Sequence, residues 1–151
     1  MISRRTLVLA LPAARSLLAA VRGDEVMYVG GTMKIPEATE GKLDTSDSKV
    51  LTFTSGKGNF QVPYDGVTSL EYGQKAGRRL GVALTITVWA LFSKKRKHFL
   101  TLGFKDAQDQ PQGVVFELPK GRPKSIITSI EARSGVKCEY ESEEARKHVH
   151  G

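Results

Sequence analysis

The sequence predicts a mainly β domain closed by one C-terminal α-helix, and three observations lead there. Clusters of turn-forming residues recur about every ten residues between Val26 and Phe116. The runs between them are short and rich in β-branched and aromatic side chains. The spacing of apolar residues becomes helical only late, at Ile126, Ile127 and Ile130. Closely spaced turns joining short strands describe a small antiparallel barrel or sandwich.

Taken in order, residues 26–29 form the first strand, and Gly30 and Gly31 after it are backbone-permissive. Residues 41–45 lead into Thr45-Ser-Asp-Ser48, a turn whose side chains can bond their own backbone. Residues 50–54 are a strand by composition, and residues 55–59 are a hairpin tip. The chain returns through Phe60, Gln61 and Val62, turns at residues 63–66, and alternates over residues 67–72. Two further strands are expected at residues 98–104 and 113–118, joined by the polar loop at 106–111. Pro123 suits a first helical position and Gly135 a C-terminal cap, which predicts a helix over 123–134. Residues 136–140 read as a brief strand. The polar tail at 141–151 carries acids first and bases last, the order that favours a short helix.

Many strands followed by one amphipathic helix is the element order of the pleckstrin-homology superfold. Residues 60–72, Phe-Gln-Val-Pro-Tyr-Asp-Gly-Val-Thr-Ser-Leu-Glu-Tyr, resemble the I-P-Y-x-x-I-x-x-I-E strand pair of bacterial PH-like and GRAM-like domains. Residues 126–135 resemble their closing helix with its terminal glycine. The chain is also similar to exported bacterial proteins that share an L-F-S-K-K-R-K-H-F-L-T-L core, here Leu91 to Leu102. The resemblance covers residues 24–140 and implies a partly open antiparallel barrel closed by one helix. It does not imply phosphoinositide binding, because the first two strands lack the basic signature and function resides in sites rather than folds. The chain departs from the pattern at an apolar stretch over residues 80–92.

The first twenty residues read as an export signal, with Arg4 and Arg5 ahead of an apolar stretch and small residues at Ala19 and Ala20. Residues 3–8 also resemble a twin-arginine motif. The alternative is an attached N-terminal amphipathic helix, which Pro12 and Arg15 make a poor membrane anchor.

Charge is distributed unevenly. The chain holds 23 Lys and Arg against 16 Asp and Glu, and removing Arg4, Arg5 and Arg15 leaves 20 against 16. Seven of those 20 lie in residues 75–97, so the remainder is 13 against 16, net negative. The basicity is therefore one patch: Lys75, Arg78 and Arg79 before the apolar stretch, Lys94, Lys95, Arg96 and Lys97 after it. This concentration argues against a nucleic-acid-coating face, and too few aromatics accompany it for a stacking platform.

Residues 80–92 are too few for a simple transmembrane helix, which needs about 20. Two readings remain. Apolar residues at every even position describe a core strand, with residues 93–96 as a hairpin tip before the strand at His98. Alternatively the segment inserts at an interface, with both basic flanks on anionic headgroups and Trp89 and Phe92 as anchors. The expected partner is an anionic phospholipid surface or, if a barrel edge or helix groove is the working surface, another protein.

No catalytic constellation is present. Ser55-Gly-Lys-Gly58 lacks the phosphate-loop spacing and a following helix. His148 and His150 are weak ligand material at a chain end, and His98 belongs at a strand start. Cys138 is the only cysteine, which excludes an intramolecular disulfide and reads as a small buried residue. Neither enzyme activity nor a cofactor or metal is expected.

Overall fold

The computed structural model describes residues 22–74, 98–119 and 121–151. Among them lie strands β1 (Asp24–Gly31), β2 (Thr39–Asp44), β3 (Val50–Ser55), β4 (Gly58–Pro63), β5 (Val67–Gly73), β6 (Phe99–Lys105), β7 (Pro111–Glu117) and β8 (Glu139–Tyr140). A single 3-10 turn, Tyr64–Gly66, joins β4 to β5. Two helices follow the long strands, α1 (Pro123–Ser134) and α2 (Glu143–His150). The strands make one partly open sheet in the order β4-β3-β2-β1-β7-β6-β5-β8, so the mainly β domain with a C-terminal helix is observed. Every neighbouring pair is antiparallel except β5 with β8.

Side-chain alternation explains the outer strands. In β3, Leu51 and Phe53 are buried while Val50, Thr52 and Thr54 are partly exposed. The turns are fixed as their composition requires. Asp47 accepts from the Lys49 and Val50 amides, and Ser55 donates to the Gly58 carbonyl at 2.6 Å. The glycine-rich stretch at 55–58 is thus a hairpin tip. Asp106 holds the β6–β7 loop through the Gln108 and Gln110 amides, each at 2.9 Å.

β6 does not alternate, because Phe99 to Phe104 are all buried. Leu100, Leu102 and Phe104 join the main core with Tyr28, Phe53 and Phe116. Phe99 and Thr101, together with Val29 and Val115, fall on the opposite face by period two and are buried as well.

α1 matches its predicted bounds. Pro123 occupies the first turn, and Gly135 ends the helix at φ 76° with its N–H on the Glu131 carbonyl. Ile126, Ile127 and Ile130 are buried on the core, and each contributes about 2 kcal/mol by leaving water. The run after α1 is shorter than expected: only Glu139 and Tyr140 pair with β5, opposite Glu71 and Tyr72.

The tail forms the helix its charge order favours, but not a free one. Ser142 caps α2 by accepting from the Ala145 amide at 3.1 Å. Ala145 and Val149 are buried, so the C-terminus is part of the domain's packing rather than a solvated end.

Candidate functional site

The residues that the sequence singles out for anion binding, Lys75, Arg78, Arg79, Lys94, Lys95, Arg96 and Lys97, lie outside the described residues, as do Trp89 and Phe92. So do the apolar stretch at 80–92 and residues 1–20, expected to be an export signal. The ground on which that segment stands is described. Beyond a register shift between Val67 and Ser69, β5 and β6 pair up to Gly73 opposite Phe99, so the described chain on either side of the segment ends at one register pair.

β6 is flanked by β5 on one edge and by β7 on the other, along Phe99 to Lys105. The strand expected at 80–92 and its tip at 93–96 lie outside the described residues.

At the same end of the sheet three aromatic rings lie nearly parallel. His98 stacks on His148 with centroids 4.6 Å apart at 19° and on Tyr72 at 5.6 Å and 11°. The Tyr72 hydroxyl and His148 Nδ1 are 2.9 Å apart. Close by, the Tyr140 hydroxyl and His150 Nε2 are also 2.9 Å apart. All three histidines of the chain thus gather where α2 meets β5, β8 and the start of β6.

Burial controls the chemistry here. The His98 Nε2 is buried with no hydrogen-bond partner among the described residues. Desolvation first, then the neighbouring His148, pull the His98 pKa below its ordinary value, against Glu144 and Glu141, which raise it. Burial pushes the Tyr72 phenol up to about 12. The Cys138 thiol is likewise pushed up to about 12, by burial and then Glu131, which leaves it protonated and unreactive. Cys138 is half-buried beside the helix, its N–H donating to Glu131 Oε2 at 2.9 Å.

Sequence reasoning placed His98 at a strand start, which is correct, but did not bring it to Tyr72 and His148. One signal was available. Ala145, His148 and Val149 stand at i, i+3 and i+4, so His148 borders the apolar stripe of α2 and faces whatever that stripe packs on.

Among the described residues no cluster of three or more His, Cys, Asp or Glu is arranged to hold a metal ion, and no helix is long and apolar enough to cross a membrane. No family model matches this chain, and no curated protein matches it in sequence.

Proposed function

We propose that this protein is a non-catalytic, exported binding module that associates peripherally with an anionic phospholipid surface through residues 75–97. One observation carries the reading: Gly73 and Phe99 face each other across the β5–β6 ladder, with both edges of β6 already paired. Lys75, Arg78 and Arg79 therefore follow, and Lys94 to Lys97 precede, the same point of the sheet. Two basic flanks attached at one point suit a segment that meets a membrane from one side. Each cation near an anionic surface contributes about 1 kcal/mol. Trp89 and Phe92 supply the apolar anchors such a contact uses.

The finer fold assignment belongs to the same proposal. A PH-like or GRAM-like domain is supported by the strand order, by the partly open sheet and by one helix closing it after the seventh strand. β8 and α2 are then additions to that plan.

Mixing the full chain with vesicles of anionic phospholipid is expected to float it with the lipid, and added salt to weaken flotation. Reversing Lys94, Lys95, Arg96 and Lys97 to Glu is expected to abolish it. Flotation of the reversed protein at wild-type levels overturns the proposal.

A second reading, a protein-interaction or assembly module, rests on a different observation. Val29, Phe99, Thr101 and Val115 are buried on the sheet face opposite the main core, next to the point where residues 75–97 are attached. Residues 80–92 would then be core or oligomer interface. A stable dimer by light scattering that ignores lipid favours this reading over the first.

A further inference from the structure

We propose that Tyr72, His98 and His148 form a proton-sensitive clasp, which holds α2 on the sheet while the His98 imidazole is neutral and lets it go when that ring becomes charged. The inference concerns α2 alone and does not rest on the lipid reading.

Two features of the geometry favour a neutral His98. The first is the stack: imidazoles with centroids 4.6 Å apart repel when both carry charge. The second is the buried His98 Nε2, which has no acceptor among the described residues. If it carries a proton, that donor is desolvated and unpaired. His148 differs, because it is exposed and lies in the last turn of α2, where positive charge suits the helix dipole. Acid therefore does not oppose the helix through its dipole and acts on its attachment.

The groups facing the pair are few. Tyr72 on β5 stacks on both rings, and Tyr140 on β8 packs edge-on against Tyr72 at 6.4 Å. Glu141 after β8 and Glu144 on α2 favour a charged His98, but desolvation and His148 outweigh them. Lys97, its neighbour in sequence, lies outside the described residues.

The attachment is slight enough for one proton to matter. β8 contributes two paired residues and the Glu141 amide bonds the Tyr72 carbonyl at 3.1 Å. α2 buries only Ala145 and Val149, and a helix of eight residues does not persist alone in water. Release would uncover Tyr72 and open the β5 edge.

The sign follows from linkage. A histidine whose folded pKa is lowered binds fewer protons docked than released, so docking is full above the ordinary value of 6.5 and is lost as pH falls toward the folded value. The Ala145 methyl resonance of the full chain, followed by NMR without lipid from about pH 8 to about pH 5, reads the attachment directly. It is expected to move from its docked position to a random-coil position below pH 6.5, with the docking constant falling about tenfold per pH unit for each proton taken up. His98→Phe keeps a flat buried ring without a proton site and is expected to hold the methyl docked throughout. If that variant does not fold, His98→Leu, which also lacks a proton site, gives the same reading. A wild-type methyl that stays docked to pH 5, or a folded variant that releases at the wild-type pH, overturns the proposal.

Discussion

The Tyr72 hydroxyl and His148 Nδ1 lie 2.9 Å apart, joining a buried residue of the fifth strand to an exposed one in the last turn of the chain. The contact ties the C-terminal helix to the sheet at a point where little else does. Tyr72→Phe removes the hydroxyl but keeps the stacked ring. His148 can turn to water for a partner, so the expected loss is modest, about 1 kcal/mol. Urea denaturation of the variant against wild type measures it, and the loss should disappear in a His148→Ala background.

Gly73 lies directly beneath Glu141: a Cβ at position 73 would coincide with the glutamate Cβ and carboxylate. Gly73→Ala is therefore expected to displace Glu141 and loosen β8 and α2 while leaving β1 to β7 in place. Hydrogen exchange should rise at the amides of Glu141, Arg146 and Gly151 and stay unchanged along β6.

Gly135 closes α1 at φ 76° with open space where a Cβ would stand. The penalty of Gly135→Ala is therefore backbone strain alone, about 1 kcal/mol. Ile127→Ala, at 0% exposure one turn into the same helix, leaves a cavity and is expected to cost about 3 kcal/mol. Denaturation midpoints of the two variants should preserve that order.

Alkaline pH should destabilise the fold. The Cys138 thiol and the Tyr72 phenol are both raised to about 12, from 9.0 and 10.0. Folded protein keeps protons that the unfolded chain has released, so stability is complete below pH 9 and falls as pH rises toward 12. The urea midpoint should drop between about pH 8 and about pH 10. At the lower pH, a disulfide reagent should label Cys138 rapidly only in urea.

Much of the architecture was legible because its signals are local. Pro123 and Gly135 bracket α1 by their own backbone limits, and Asp47 and Asp106 mark turns by bonding nearby amides. The membrane reading of residues 75–97 is equally local, since it rests on charge and apolarity in one run. The Tyr72–His98–His148 stack was not legible, because it depends on which strands neighbour β6 and on where α2 comes to rest. The pairing of β6 with both β5 and β7 is equally non-local, since its partners are set by the sheet order and not by neighbouring sequence.

The pairing of Gly73 with Phe99 also bears on how the chain can vary. Partners from Val67 with Phe104 through Gly73 with Phe99 set the register of the ladder on either side of the connection. A connection of any length that lets Gly73 meet Phe99 satisfies that register. A longer passage costs little more, since closure entropy grows only with the logarithm of length. The fold thus offers a grafting point at which the segment's length and chemistry can diverge while the scaffold stays the same.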